Sequence, residues 1–141
     1  MKRELYKTLL AWAKSPERKP LMLRGVRQCG KTYLLRMFGT NEFPKFHLFN
    51  FEKEPALAKM FESSLDPHHI INQLSFYRNT PINIKEDLVI FDEIQEAPRA
   101  LTSLKYFQED MPELAICCAG SLLGVRLNPG SYPVGKIQTE Y

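Results

Sequence analysis

Features that would mark a secreted, disulfide-built or membrane-spanning chain are missing from these 141 residues. Cysteine is scarce. Cys29, Cys117 and Cys118 are an odd number with no C-x-x-C spacing, which speaks against both a disulfide framework and a zinc knuckle. No apolar run approaches the length of a membrane span. The opening Met1-Lys2-Arg3-Glu4 carries an acid, and the apolar positions after it are broken by Lys7 and Lys14, unlike a signal peptide. A strong charge of either sign is absent too. The formal net charge of +3 is mild and does not by itself argue for nucleic acid. There is no internal repeat and no low-complexity stretch. What remains is ordinary globular composition, 44% hydrophobic and 25% charged, in a length that suits one domain with a real core. These absences point to a cytoplasmic, reducing setting.

The informative stretch is Arg24-Gly25-Val26-Arg27-Gln28-Cys29-Gly30-Lys31-Thr32. It follows the apolar run Leu21-Met22-Leu23 and precedes Tyr33-Leu34-Leu35-Arg36-Met37-Phe38, which reads as a helix. From Gly25 to Thr32 it fits the pattern G-x-x-x-x-G-K-[ST]. A triphosphate must be wrapped by backbone N–H groups, and glycines let the chain approach it closely. The helix beginning near Lys31 would aim its positive end at the same anion. The expected nucleotide-binding set is Gly25, Arg27, Gln28, Cys29, Gly30, Lys31, Thr32 and Tyr33. Within it Lys31 reaches the outer phosphates and the Thr32 hydroxyl sits on Mg²⁺. A glycine turn starting a helix by coincidence is the bland alternative. With glycine at about 7% of average usage, the full pattern arises by chance in well under ~1% of chains this long.

Apolar spacing predicts the remaining elements. Glu4 to Lys14 reads as a helix with Leu5, Leu9, Trp12 and Ala13 on one face, ended by Ser15-Pro16. Leu21 to Arg24 reads as a buried strand, and the helix after the loop is expected to stop near Gly39. Lys45 to Phe51 is strand-like. Pro55 starts a second helix carrying Leu57, Met60 and Phe61, and Asp66-Pro67 opens a third with Ile70, Ile71, Leu74 and Tyr77. Leu88 to Phe91 is a strand, Pro98 opens a helix with Leu101, Leu104 and Phe107, and Leu114 to Ala119 is a further strand. Lys136 to Tyr141 is a candidate last strand. Strands alternating with helices imply a parallel sheet covered on both faces. Ligands on such sheets bind outside the carboxyl ends of the strands, where Gly25 to Thr32, Asp92-Glu93 and Ser121 all fall.

Asp92-Glu93, at the tip of an apolar strand, is the expected partner of the phosphate loop. Asp92 would orient Mg²⁺ largely through its waters. Glu93 would take the proton from an attacking water or hold that water in line. A doublet of acids points to water activation rather than transfer to another acceptor. Lys31, Glu93 and Ser121 form the expected catalytic set; Ser121 is read as a hydrogen-bonding partner of the γ-phosphate or the water, with a helix cap as its plainer alternative. Gln95 could help position water, but a glutamine in a loop reads first as exposed. Cys29 reads as a tolerated loop side chain, Cys117 and Cys118 as strand residues, and His47, His68 and His69 as structural or surface residues. Lys14, Arg18 and Lys19 read as a solvated face, with a nucleic-acid site as the less favoured alternative.

Gly25-Val26-Arg27-Gln28-Cys29-Gly30-Lys31-Thr32, with Asp92-Glu93-Ile94-Gln95 and Ala119-Gly120-Ser121, resembles the AAA+ ATPases. The Arg27-Gln28 pair, the Asp-Glu-Ile-Gln run and Pro133-Val134-Gly135-Lys136 narrow the resemblance to bacterial and archaeal ATP-binding proteins that carry a C-terminal domain of unknown function. The resemblance implies an α/β, three-layer αβα sandwich of P-loop NTPase type, with a parallel sheet in the order 5-1-4-3-2. It implies Walker A at Gly25 to Thr32, Walker B ending at Asp92-Glu93, and sensor 1 near Ser121, with ATP and Mg²⁺ as cofactors. Ala119 stands where family members often have threonine. Residues 1–141 are expected to form a single AAA+ core, the N-terminal part of a longer protein, without the helical lid or C-terminal domain. The expected activity is Mg²⁺-dependent ATP hydrolysis coupled to conformational change. A homo-oligomer supplying an arginine finger is the implied partner, for which Arg126 and Lys136 are weak candidates within this chain; a protein partner is compatible with the reading, and a membrane is not expected. A nucleotide-dependent binding module with little or no hydrolysis is the alternative. A phosphotransferase is disfavoured by the acid doublet, and a GTPase by the absence of an N-K-x-D motif.

Overall fold

The computed structural model describes residues 2–24, 31–120 and 135–138, with backbone alone at 2, 24, 31 and 135–138. Its strands are β1 (Leu21–Arg24), β2 (Phe46–Asn50), β3 (Leu88–Asp92), β4 (Ala115–Gly120) and β5 (Gly135–Gln138). Its helices are α1 (Lys2–Lys14), α2 (Lys31–Glu42), α3 (Pro67–Arg78) and α4 (Pro98–Asp110), with 3₁₀ segments at Pro55–Phe61 and Ile94–Glu96. Every strand pair is parallel, and the order across the sheet is β2-β3-β4-β1-β5. Read from the other edge, this is the expected 5-1-4-3-2.

Because successive strand residues point to opposite faces, the sheet separates two cores. Val89, Phe91, Ile116 and Cys118 pack on one side with Ile70, Ile71 and Leu74 of α3 and Leu101, Leu104 and Phe107 of α4. Leu88, Ile90, Cys117 and Ala119 pack on the other with Leu5 and Leu9 of α1 and Leu34, Leu35 and Phe38 of α2. The three-layer αβα sandwich is thus a consequence of continuous apolar strands that need cover on both faces. Burial pushes both the Cys117 and Cys118 thiols well above their ordinary range, as suits strand residues with no reactive role.

Phe91 is the centre of the first core. Its ring lies 6.1 Å from Phe49, 5.6 Å from Phe51, 5.9 Å from Phe61 and 6.5 Å from Phe107, in tilted or edge-on contacts that aromatic quadrupoles favour. This residue immediately precedes Asp92, so the aromatic cluster anchors the strand tip.

Four expectations are corrected. Helix α2 does not stop near Gly39 but runs to Glu42. A Cβ on Gly39 would meet Phe46 Cβ at 2.7 Å, so this glycine serves close helix–strand approach rather than termination. The Pro55 segment is a 3₁₀ helix that buries Leu57 and Phe61. Tyr77 stays 38% exposed and donates a 3.1 Å hydrogen bond to Glu54 instead of joining the α3 core face. Arg18 is not simply solvated: its guanidinium donates to Ala13 O (3.1 Å) and Glu113 O (2.7 Å), fastening the turn after α1 to the segment before β4.

Candidate nucleotide and metal site

Strand β1 delivers the chain to residue 24, and α2 starts at Lys31. Gly25, Val26, Arg27, Gln28, Cys29 and Gly30 lie outside the described residues, as do Ser121 and Arg126. The same holds for the side chains of Lys31 and Lys136. The flanking elements are described: β1 ends and α2 begins at the carboxyl end of the sheet, as expected.

Thr32, in the first turn of α2, meets Asp92 at the tip of β3. The Thr32 hydroxyl donates to Asp92 Oδ2 at 2.7 Å. Asp92 is 3% exposed, since all five residues of β3 are buried. Two further donors converge on its carboxylate: Asn50 Nδ2 on Oδ2 at 3.3 Å, and the Glu93 backbone N–H on Oδ1 at 2.9 Å. A buried acceptor is expensive without donors, and three now fix its rotamer. Asn50 is paired with Asp92 across the β2–β3 ladder. Its Oδ1 accepts from the backbone N–H groups of Glu52 and Lys53, both at 2.9 Å. Spacing in the sequence missed Asn50; its one signal was a polar residue closing the apolar strand Phe46–Asn50.

Glu93 turns out of the strand. Its φ of 52° and ψ of 46° are left-handed, an uncommon and strained state for a residue with a Cβ, costing about 1–3 kcal/mol. The turn points two adjacent acids in different directions: Asp92 stays in the sheet, while Glu93 Oε1 accepts a 2.6 Å hydrogen bond from Gln95 Nε2. Gln95 is therefore not the exposed loop residue expected. Its own Oε1 is buried without a partner among the described residues, a state that costs about 1–3 kcal/mol.

These groups border a cleft of about 660 Å³ whose wall includes Thr32, Arg36, Asn50, Lys53, Asp92 and Glu93. A second cleft, of about 470 Å³, lies toward the amino end of β2 beside Gly39 and Lys45, away from the strand tips where such sheets bind ligands. Arg78 separates the two. It donates bidentately to Glu54 at 2.7 Å to each oxygen, donates to Leu48 O at 2.8 Å, and lies 4.9 Å from the Phe49 ring. The bidentate contact holds the Glu54 carboxyl below the usual carboxylate range. Tyr33 is 65% exposed and is not part of the cleft wall. His47 is buried against Asp87, its Nε2 2.8 Å from Oδ2, a structural contact beneath the outer edge of the sheet.

The donor set suits Mg²⁺. A hydroxyl and a carboxylate are hard oxygen ligands, and two protein oxygens leave room for phosphate and water, which Mg²⁺ usually retains. Thr32 and Asp92 would hold it, with Asn50 orienting the carboxylate from behind.

Fold and site together define a P-loop type of α/β nucleotide-binding core. The sequence of residues 17–139 matches the family described as AAA domain, and the chain belongs to that family. A comparison with curated proteins finds no significant match. Among solved structures, the chain is similar to PCH-2 of C. elegans, with TM-score 0.55 and 18% identity over 96% of this chain and 41% of that one. It is also similar to the Pif1 helicase of Candida albicans, with TM-score 0.55 and 11% identity over 99% of this chain and 39% of that one. At those identities the likeness is one of fold. Among the described residues no helix is long and apolar enough to cross a membrane.

Proposed function

We propose that residues 1–141 are one AAA+ core domain that binds ATP with Mg²⁺ and hydrolyses it, turning nucleotide state into conformational change. The observation that carries this reading is that Thr32, the last residue of the G-x-x-x-x-G-K-T stretch, meets Asp92 at the tip of β3, next to Glu93. A buried carboxylate held by three donors beside a half-buried second acid at a cleft is an arrangement characteristic of functional sites.

In this reading Gly25, Arg27, Gln28, Cys29 and Gly30 present backbone N–H groups to the phosphates, with Tyr33 at the edge of the site. Lys31 neutralises the outer phosphates. Thr32 and Asp92 hold the metal, which when bound offsets charge on the β- and γ-oxygens. Glu93 accepts the proton of the attacking water. Ser121 donates to the γ-phosphate or to that water. Arg36 and Lys53, in the cleft wall, add positive field for a polyanion. An arginine supplied in trans by a second copy adds about 10³–10⁵ in rate, so the chain alone turns over slowly. The free thiols of Cys117 and Cys118 support the cytoplasmic, reducing setting that goes with this function. The same reading extends to membership of the branch that carries a C-terminal domain of unknown function, on the strength of Arg27-Gln28 and Asp92-Glu93-Ile94-Gln95.

The test is single-turnover hydrolysis of γ-labelled ATP, with Mg²⁺ and with chelator, by the wild-type chain and Glu93→Gln. Slow Mg²⁺-dependent release of phosphate in the wild type, lost in Glu93→Gln with nucleotide affinity kept, is the expected result. Tight binding without any turnover, even at concentrations that favour self-association, would replace it with a nucleotide-responsive binding module.

A further inference from the structure

Gln95 follows the acid pair by two residues, and none of the roles above uses it. Three observations give it one. Its Nε2 donates a 2.6 Å hydrogen bond to Glu93 Oε1. Its Oε1 is buried and has no donor among the described residues. That same oxygen occupies the space where Gly120 would carry a Cβ, so the strand end is bare where the amide rests.

The orientation of the amide follows from its partner. Reversing it would set Oε1 against the Glu93 carboxylate, acceptor against acceptor at hydrogen-bond distance. With Nε2 toward Glu93, the hydrogen bond to that carboxylate is the only one the Gln95 side chain makes among the described residues. The amide is thus oriented by the acid it holds. The place it occupies also matters. Gly120 ends β4 and pairs with Arg24, the last residue of β1, while its neighbour Ala119 pairs with Asp92. Gln95 therefore spans from Glu93 to the strand tip that lies between the acid pair and the root of the phosphate loop.

We propose that Gln95 is a positioning residue for Glu93: its amide, seated on the bare tip of β4 at Gly120, sets the direction in which the Glu93 carboxylate faces. This rests on the hydrolytic reading of Glu93. The left-handed backbone at Glu93 leaves its side chain outside the sheet ladder, and the amide supplies the constraint that the sheet does not. Gly120 belongs to the same device, because any side chain there would drive Gln95 off its seat.

The test uses Gln95→Met, which keeps length and removes both polar atoms, and Gly120→Ala, which keeps Gln95 and fills its seat. Both are expected to lower the single-turnover rate about tenfold or more, with ATP affinity within about twofold of wild type and an unchanged melting transition. Combined with Glu93→Gln, neither should lower the rate further, since the residue acts through the carboxylate; additive losses would overturn the proposal. A readout independent of turnover is the ¹⁵N-resolved side-chain amide of Gln95. One of its protons should be shifted downfield and protected from exchange, and should lose both properties in Glu93→Ala; an amide signal indifferent to Glu93→Ala would overturn the contact itself. Wild-type turnover retained in Gln95→Met would overturn this inference and leave the hydrolytic reading standing. Failure of the wild-type chain to hydrolyse ATP would overturn both.

Discussion

The Thr32 hydroxyl donates a 2.7 Å hydrogen bond to Asp92 Oδ2, joining the first turn of α2 to the tip of β3 across 60 positions of sequence. Two adjacent sheet positions make this possible. Asp92 lies beside Ala119 of β4, and Gly120 of β4 lies beside Arg24 of β1, so the strand order brings the loop root and the acid to one end.

Thr32→Ala should therefore have two separable effects. Without ligand, loss of one donor to a buried carboxylate should lower stability by about 1 kcal/mol, measured by urea unfolding. With nucleotide, the Mg²⁺-dependent part of the affinity should fall while the Mg²⁺-independent part is kept. Equal losses with Mg²⁺ and with chelator would remove Thr32 from the metal site.

Lys31→Ala tests the loop itself. Charge-assisted hydrogen bonds contribute about 1.5–3 kcal/mol each, so losing one should weaken ATP binding by about 10- to 150-fold. Titration of a fluorescent ATP analogue measures this. Unchanged affinity would count against phosphate binding at Gly25 to Thr32.

Arg78 and Glu54 give a pH dependence. Their bidentate contact lowers the folded-state pKa of Glu54 from the ordinary 4.5. A depressed carboxylate pKa contributes stability that is present above the unfolded value and is lost as pH falls through the folded one. The pair is about one-third exposed, so its contribution is modest, about 0.5–1 kcal/mol. Arg78→Ala should lower stability at pH 7 by at least that much, since it also uncovers Leu48 O and the Phe49 ring. The part of the deficit due to the ion pair should shrink as pH falls below 4.5, in paired urea titrations. A gap that widens with acid would reverse the sign and refute the assignment.

Gly39→Val tests the close approach of α2 to β2. The nearest atom, at 2.7 Å, is Phe46 Cβ, which no change of rotamer can move away. Overpacking of this kind costs about 1–3 kcal/mol. Helix propensity alone would favour valine over glycine. Thermal unfolding decides between them, and a raised melting temperature would show that α2 has room to shift.

The order of the elements and the parallel sheet are largely legible in the sequence. Continuous apolar runs such as Leu88 to Phe91 announce strands buried on both faces, and prolines at 67 and 98 mark the starts of α3 and α4. The G-x-x-x-x-G-K-T pattern and the acid doublet are each contiguous in sequence, and they point to Thr32, Asp92 and Glu93. The extent of α2 was misread because glycine has two uses, stopping a helix and letting it touch a neighbour. Only the position of Phe46, on a different element, shows that Gly39 serves the second.

Side-chain partnerships belong to the tertiary structure alone. Asn50 reaches Asp92 through strand pairing, and Arg78, the last residue of α3, reaches Glu54 and Leu48 because that end of the helix lies beside β2. Gln95 rests on Gly120 because the left-handed turn at Glu93 folds the chain back over β4. None of these pairs has a characteristic spacing, since the intervening chain folds into separate elements before they meet. A periodic pattern records which face a residue occupies; which side chain lies opposite depends on how whole elements pack, and that geometry is set by the two cores on either side of the sheet.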